Sequence, residues 1–229
     1  QQQNNTSCPL CSSVELTDFL TLEHLPVSVG ILWPTQSAAR AAPQGAIQLS
    51  FCRHCGFVYN RAFDPTRLIY KPGYEVSLHH SPRYWAFLTE TASGLIDRYN
   101  IRHETVLEVG CGKGVFLRLL CQLGDNNGFG FDPALIEEGE ELLGHQKITW
   151  VRDYYTARYA HLPYALLCCR HVLNQLADPR QFLLELRQVL GKQTDTVLYF
   201  ELPNGEQVFQ GSATWNVFYE RASYFNTER

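Results

Sequence analysis

The stretch Val106-Leu-Glu-Val-Gly-Cys-Gly-Lys-Gly114 decides the fold of this chain. Its first half predicts a short buried strand over residues 105–109, and the apolar residues that follow it predict a helix over 115–123. Glycines at such a junction let the backbone turn sharply and approach a ligand near the start of the helix. A tight strand-to-helix turn without a ligand is the alternative interpretation of the same glycines.

The residues around this stretch continue an alternation of strands and helices. Further apolar strands are predicted over 129–131, 148–151, 164–169 and 196–201, and helices over 83–99, 134–143 and 180–190. The helix over 83–99 carries one apolar face, formed by Trp85, Leu88, Ala92, Leu95 and Ile96. Continuous apolar strands between helices are typical of a parallel sheet covered on both faces. We therefore expect an α/β fold with a Rossmann-like parallel sheet of five strands.

An acidic residue follows the second strand of this pattern. Asp132 lies 18 residues after Gly114, where a carboxylate can accept hydrogen bonds from both hydroxyls of a ribose. The spacing Gly-x-Gly-x-Gly differs from the Gly-x-Gly-x-x-Gly fingerprint of dinucleotide-binding proteins. The strand, the glycines, the helix and the acid together favour a nucleotide-containing ligand over a bare turn.

Residues 106–114 resemble motif I of the class I S-adenosylmethionine-dependent methyltransferases. The resemblance continues through Gly130-Phe-Asp-Pro133, Asp153 and the stretch 170–179, although Asn174-Gln175 stands where Glu-His is usual. It implies S-adenosylmethionine as the cofactor, with the glycines against the methionine, Asp132 on the ribose, and Asp153 with Tyr154 at the adenine. The implied cofactor-binding residues are Glu108, Gly110, Gly112, Gly114, Asp132, Asp153, Tyr154 and Arg170. His171 is expected to line the pocket floor with Arg170, or else to be a packing or solvated residue.

The N-terminal part of the chain contains two Cys-x-x-Cys pairs. They are Cys8-Pro-Leu-Cys11 and Cys52-Arg-His-Cys55, the second followed by Gly56. Two such pairs supply the four thiolates of a closed tetrahedral site, so we expect one structural zinc without a catalytic role. A redox dithiol and buried unliganded thiols are the alternatives. His54 is interpreted as a bystander, although it could replace one sulfur.

A narrower resemblance covers nearly the whole chain. A four-cysteine module, an aromatic linker (Tyr70, Tyr74, Ser77) and the methyltransferase core, in this order, resemble the deoxysugar C-methyltransferases, which methylate a ketosugar carried on a nucleotide. Residues 215–225 are similar to the Tyr-His-Glu-His-x-Ser-Tyr-Phe segment of that family, of which Glu220, Ser223, Tyr224 and Phe225 agree.

The same segment departs from the family at three positions. Phe218, Tyr219 and Arg221 stand where the family has tyrosine and two histidines. Phe218 cannot act as a base, so Glu220, Tyr219 or His171 is the expected catalytic base. Arg221 could instead bind a carboxylate or phosphate of a different substrate, and Glu220 could merely pair with Arg221 or cap a turn.

These patterns divide the chain into three parts. We expect a zinc-binding module over 1–70, a linker with a lead-in helix over 71–100, and a core that binds S-adenosylmethionine over 101–229. Class I methyltransferase sheets add two further strands after the fifth, so the core is expected to be truncated at its C-terminus.

Composition limits the classes of function. The 229 residues carry a formal net charge of -4, which argues against a general nucleic-acid or membrane-surface binder. No apolar run approaches the roughly 20 residues of a membrane span, and the N-terminus lacks the features of a signal peptide. We expect a cytoplasmic enzyme that methylates a small molecule, such as a nucleotide-linked sugar. The alternative is a zinc-containing module that binds S-adenosylmethionine or a partner without turnover.

Overall fold

The computed structural model describes residues 6–68, 74, 78, 80–191, 195–211 and 213–227. The strands are β1 Leu16–Pro26, β2 Gln44–Cys52, β3 Val58–Asn60, β4 Thr105–Val109, β5 Asn127–Phe131, β6 Gly139–Leu143, β7 Gln146–Val151, β8 Leu166–Arg170, β9 Val197–Glu201 and β10 Ser223–Tyr224. The helices are α1 Gln36–Arg40, α2 Pro82–Tyr99, α3 Val115–Gly124, α4 Pro179–Leu190 and α5 Gly205–Gln210. Tyr70 and Ser77 of the aromatic linker lie outside the described residues.

The chain forms two compact units, each assembled from separate stretches. The first unit comprises Gln1–Ile69, His171–Leu184 and Leu202–Arg229, and the second comprises Tyr70–Arg170 and Glu185–Glu201. This grouping differs from the division expected from the sequence, because the C-terminal stretch joins the N-terminal one.

The second unit contains a six-stranded sheet in the order β6-β7-β5-β4-β8-β9. All neighbours pair in parallel except β6, which is antiparallel to β7. The expected Rossmann-like sheet with five parallel strands is therefore confirmed. In the register, Val109 pairs with Phe131 and Cys169, and Arg170 pairs with Glu201. The carboxyl ends of four strands thus reach one edge of the sheet, which is where such folds bind ligands.

Helix α3 packs on β4, β5 and β7 of this sheet, and α2 packs on α3 in the same apolar cluster. The Ser81 side chain caps α2 by accepting from the Tyr84 N–H at 3.3 Å, and Pro82 occupies the first turn, where its missing N–H costs nothing. Of the five residues expected on the apolar face of α2, Trp85 is 39% exposed. The other four are buried: Leu88, Ala92, Leu95 and Ile96.

The helix predicted over residues 134–143 is wrong. Its second half is β6, which forms a hairpin with β7. Gly139 has a φ of +122°, which other residues rarely adopt, and Gly144 has a φ of +71° in the connecting turn. These two conformations are incompatible with a continuous helix, so the apolar pattern misled the prediction.

The first unit contains a four-stranded antiparallel sheet in the order β1-β2-β3-β10. Strand β10 comes from the far end of the chain, with Ser223 paired to Tyr59. One face of the sheet packs on an apolar cluster that includes Ile47, Leu49 and Tyr219. The described helices include none that is long and apolar enough to cross a bilayer.

Candidate cofactor site and candidate metal centre

The loop between β4 and α3 contains three glycines in the left-handed region. Gly110, Gly112 and Gly114 have φ values of +69°, +53° and +71°. The Gly110 N–H donates to the Phe131 carbonyl at 2.7 Å, which ties the loop to the end of β5. Because side chains strain this backbone conformation, the glycines are required by the turn itself.

The space around two of these glycines differs. A Cβ on Gly114 would overlap the Trp150 ring, whereas a Cβ on Gly112 would meet nothing within 4 Å. Gly114 is therefore needed for close packing inside the second unit. Gly112 instead borders open space beside the loop.

Trp150 is held by a group of polar contacts that the sequence did not indicate. Its Nε1 donates to the Glu141 carboxylate at 2.9 Å, and that carboxylate is paired with Arg118 at 2.8 Å. The Arg118 guanidinium also lies 4.7 Å from the centre of the Trp150 ring. The indole that supports Gly114 is thus fixed by its neighbours.

Asp132 directly follows β5, and its side chain accepts a hydrogen bond from the glycine loop. Its Oδ2 accepts from the Gly112 N–H at 2.9 Å, and its Oδ1 accepts from the Ala134 N–H at 2.7 Å. A carboxylate has about four acceptor sites, so lone pairs on both oxygens remain for ligand hydroxyls. The side chain expected at the ribose is therefore placed beside the open room at Gly112.

Asp153 and Tyr154 follow β7 at the same edge of the sheet. The Asp153 carboxylate accepts from the Tyr159 hydroxyl at 2.7 Å, from the Tyr154 N–H at 2.8 Å and from the Arg158 guanidinium. The hydrogen bond from Tyr159 lowers the pKa of Asp153. Tyr154 is 59% exposed, so its ring is accessible for stacking. Asp153 orders its own loop, and the Tyr154 ring offers a surface to a ligand.

Arg170 is the last residue of β8 and lies in a buried cluster of charged side chains, which we call the ionic group. It forms a bidentate pair with Glu201 at 2.9 and 3.0 Å, and its Nη1 lies 3.8 Å from the Glu108 carboxylate. The guanidinium also lies 4.2 Å from the centre of the Phe116 ring. Arg170 is thus bonded directly to Glu201 and lies near Glu108.

Glu108 is the most buried acid of this group, with 2% of its surface exposed. Burial raises the pKa of its carboxyl to about 8, although the Arg170 cation opposes the shift. Glu201 was not among the site residues expected from the sequence. The signal for it was its position at the end of β9, directly opposite Arg170 in a parallel pair.

The four cysteines of the two Cys-x-x-Cys pairs come together in the first unit. Their sulfurs all lie within 4.8 Å of one another, with Cys8–Cys55 and Cys11–Cys52 distances of 3.6 Å. A tetrahedral zinc with Zn–S bonds of about 2.3 Å requires sulfurs about 3.8 Å apart. The donor set therefore fits a closed zinc site.

The backbone around the second pair favours the thiolate of Cys52, whereas burial raises the pKa of Cys55 to about 12. Burial opposes ionisation of Cys52, but hydrogen bonds from the backbone N–H groups of Cys55 and His54 lower its pKa to about 7. Gly56 has a φ of +73°, as the turn after the pair requires, and donates its N–H to the Cys52 carbonyl at 2.9 Å. The His54 side chain is exposed and does not belong to the cluster.

The three candidate bases all belong to the first unit. His171 is exposed, with a φ of +58°, and Glu220 is 1% exposed. Tyr219 is buried in the apolar cluster, where its hydroxyl accepts from the Asp64 N–H at 2.9 Å and faces the Asp64 carbonyl at 3.3 Å. Burial also raises the pKa of Tyr219. These contacts give Tyr219 a structural role and oppose its use as a base.

Replacing Tyr219 with phenylalanine is expected to lower the free energy of unfolding by about 1–2 kcal/mol, because the Asp64 N–H loses its acceptor. Chemical denaturation measures this change. If the role is structural, methyl transfer per folded molecule stays at the wild-type rate. A variant that keeps its stability but loses turnover would instead identify Tyr219 as a catalytic group.

Comparisons with known proteins agree with the glycine loop and the sheet. A family model for a methyltransferase domain matches residues 78–227. No curated protein sequence matches the chain.

Several solved structures resemble parts of the chain. It is 14% identical to the plantazolicin methyltransferase BpumL in complex with SAH, over 63% of this chain and 57% of that one, with a TM-score of 0.39. It is 15% identical to the cyclopropane synthase MmaA2 from Mycobacterium tuberculosis, over 65% of this chain and 54% of that one, with a TM-score of 0.40. It is 19% identical to a cyclopropane-fatty-acyl-phospholipid synthase-like protein from Lactobacillus casei, over 44% of each chain, with a TM-score of 0.32. The chain thus spans about half the length of these proteins.

The family match includes the glycine loop, Asp132 and the ionic group around Arg170, and it extends over well more than half of the chain. As residues 106–114 led us to expect, the chain belongs to the methyltransferase domain family.

Proposed function

We propose that the second unit binds S-adenosylmethionine at the carboxyl edge of its sheet, and that the protein transfers the methyl group to a small molecule. The observation that carries this proposal is the open room at Gly112, bordered by a loop that Asp132 holds through the Gly112 N–H. An open left-handed glycine beside an acid at the end of the next strand fits a nucleoside with a flexible tail.

Each part of the cofactor has a matching group on this chain. Gly110 to Gly114 would hold the methionine part, Asp132 the ribose hydroxyls, and the Tyr154 ring the adenine, with Asp153 ordering its loop. When bound, the cofactor supplies a methyl group that its sulfonium has already activated. The chain's own task is therefore to position the acceptor and to remove one proton.

The ionic group beneath the loop supports this site. Arg170, Glu108 and Glu201 lie at the ends of β8, β4 and β9, where the close pair of Arg170 with Glu201 compensates two buried charges. We propose that Glu108 and Arg170 position the glycine loop rather than react.

For the acceptor we propose a ketosugar carried on a nucleotide, methylated on carbon. The proposal rests on the four-cysteine module that precedes the core and on the retained Glu220 and Ser223 to Phe225. Methylation next to a carbonyl releases one proton from the carbon that receives the methyl group, so a base is needed. Glu220 is the proposed base, with His171 as the second candidate, because the Tyr219 hydroxyl is engaged with Asp64.

We also propose that the four-cysteine cluster binds one zinc ion. Four thiolates fill the coordination shell of zinc, so the ion would stabilise the first unit and take no part in the reaction. The distances between the sulfurs support this assignment.

Replacing Asp132 with alanine tests the cofactor site. The variant loses acceptors for the ribose and for the Gly112 N–H, so binding of S-adenosylhomocysteine is expected to weaken by about 1–3 kcal/mol. Isothermal titration calorimetry measures this affinity. Asp97→Ala is a matched control, because Asp97 is an exposed acid of the same unit with a surface partner, Arg102.

Unchanged affinity of Asp132→Ala, with Asp97→Ala also unchanged, would contradict the ribose assignment. Turnover is followed separately by release of S-adenosylhomocysteine in the presence of candidate nucleotide sugars. If the protein binds the cofactor but releases no S-adenosylhomocysteine with any acceptor, the non-catalytic module would be favoured over the methyltransferase.

A further inference from the structure

Glu108 is the last residue but one of β4, two residues before Gly110, and only 2% of its surface is exposed. Its Oε1 lies 3.8 Å from Arg170 Nη1, which is beyond hydrogen-bond distance. Arg170 directs its Nε and Nη2 to Glu201 instead. Within the described part of the chain, the buried Oε2 of Glu108 has no hydrogen-bond partner. The carboxyl group of Glu108 is therefore poorly compensated, whereas that of Glu201 is paired.

The charged groups that act on the Glu108 carboxyl come from three neighbouring strands. They are Arg170 on β8, Glu201 on β9 and Asp132 directly after β5. Arg170 and Glu201 compensate each other, and Asp132 carries the same sign of charge as an ionised Glu108. Three thiols also interact with Glu108, and burial raises the pKa of each, so they are neutral near pH 8: Cys111, Cys121 and Cys168.

The remaining polar groups of this region give Glu108 little support. The Leu117 N–H on α3 favours its charged form. The two neighbouring hydroxyls bond to the other members of the ionic group, Tyr84 on α2 to Arg170 and Tyr199 on β9 to Glu201. Burial therefore prevails and raises the pKa of the Glu108 carboxyl to about 8. A protonated carboxyl avoids an uncompensated buried charge, and a cation bound at this edge of the sheet would reverse the balance.

We propose that Glu108 determines which form of the cofactor is bound: it carries a proton in the free protein and releases it to solvent when the cationic S-adenosylmethionine binds. S-adenosylmethionine bears one more positive charge than S-adenosylhomocysteine, at its sulfonium. An ionised Glu108 would attract that charge across the interior of the protein, where water screens it little. The site would thus prefer the methyl donor to the spent cofactor and assist release of the latter. The selectivity rests on the proposed binding of the cofactor at the carboxyl edge.

Proton release and cofactor affinity are linked in both directions. If binding lowers the pKa of Glu108, affinity rises as the pH approaches the pKa of the free protein and is constant above it. A fall of one pKa unit corresponds to at most a tenfold gain in affinity. S-adenosylhomocysteine carries the same amino and carboxylate groups as S-adenosylmethionine, so the ratio of the two affinities cancels the titration of the ligand's own amino group.

Isothermal titration calorimetry with both compounds, from pH 6 to pH 8, tests the proposal. We expect the affinity ratio of S-adenosylmethionine to S-adenosylhomocysteine to rise about fivefold or more over this range. At pH 7, titrations in buffers of different ionisation enthalpy should show that S-adenosylmethionine releases about 0.4–0.9 more protons than S-adenosylhomocysteine. Glu108→Gln cannot ionise, so its affinity ratio should not change with pH. Glu104→Gln is the matched control, because Glu104 is an exposed glutamate directly before β4 in the same unit, and it should behave as the wild type.

Unfolding without cofactor tests the proton on Glu108 by itself. Because the pKa of Glu108 is raised in the folded protein, the folded state holds this proton over a pH range in which the unfolded chain has lost it. The wild type should therefore lose stability relative to Glu108→Gln as the pH rises from about 5 to about 8, and the difference should level off above that pH. Parallel stability profiles would mean that Glu108 is already ionised in the free protein, and they would overturn the proposal.

The outcomes separate the role of Glu108 from the proposed function. If the wild type binds both compounds with an affinity ratio that does not change with pH, the role of Glu108 is refuted and the proposed function stands. The same pH dependence in Glu108→Gln as in the wild type refutes that role as well. If neither compound binds, the proposed function fails and the selectivity fails with it. If Glu108→Gln does not fold, proton release by the wild type decides, because equal release with the two compounds overturns the proposal.

Discussion

Replacing Cys52 with serine is expected to abolish the proposed zinc binding and to unfold the first unit. A structural zinc contributes about 10–16 kcal/mol of apparent binding energy in small zinc-binding peptides, which is as large as or larger than the whole stability of a typical domain. Cys52 is fully buried and its sulfur lies 3.6 Å from that of Cys11, so serine cannot replace it as a ligand. Elemental analysis should find one zinc per wild-type chain and almost none in the variant.

Cys121→Ser is the matched control for this experiment. Cys121 is also fully buried, but it lies in α3 of the second unit and not in the four-cysteine cluster. This variant should keep its zinc and lose only the modest stability that follows from placing a hydroxyl in an apolar core. Wild-type protein without metal, or a Cys52→Ser variant with unchanged thermal unfolding, would contradict a structural zinc at this cluster.

The sequence predicted those parts of the fold that local pattern determines. Strands β4 and β8 are continuous apolar runs, and their positions were predicted within one or two residues. The error at β6 arose because Glu-Glu-Leu-Leu fits a helix, while the conformation of Gly139 is decided by the hairpin that it enters. Strand β10 was not predicted, because two residues carry no periodic signal and its partner β3 lies more than 150 residues away.

The candidate sites, too, were predicted only where local sequence pattern determines them. Motif spacing was enough to place Asp132 at the glycine loop and the four cysteines in one cluster. It was not enough to show that Tyr219 is bonded to the backbone of Asp64, or that Arg170 is shared between Glu108 and Glu201. Such pairings depend on which buried groups meet in three dimensions, and no spacing in the chain encodes them.

Replacing Gly114 with alanine is expected to lower the free energy of unfolding by about 2–5 kcal/mol. About 1–2 kcal/mol comes from placing a side chain at a φ of +71°. Another 1–3 kcal/mol comes from overlap of the new Cβ with the Trp150 ring. The ring cannot move freely because its Nε1 donates a hydrogen bond to Glu141. For a chain of this size the loss corresponds to a fall in melting temperature of roughly 5–20 °C, measurable by calorimetry.

Gly112→Ala separates the packing role of the loop from its role in binding. The new Cβ meets no protein atom within 4 Å, so stability should fall only by the backbone strain of about 1–2 kcal/mol. The same methyl group would occupy the room proposed for the methionine of the cofactor, so affinity for S-adenosylhomocysteine should fall at least tenfold. Gly114→Ala should cost less stability in a Trp150→Leu background than in the wild type, because the overlap is removed while the strain remains. If Gly112→Ala bound the cofactor normally, the open room beside the loop would not be where the methionine lies, although the role of Gly114 in packing would stand.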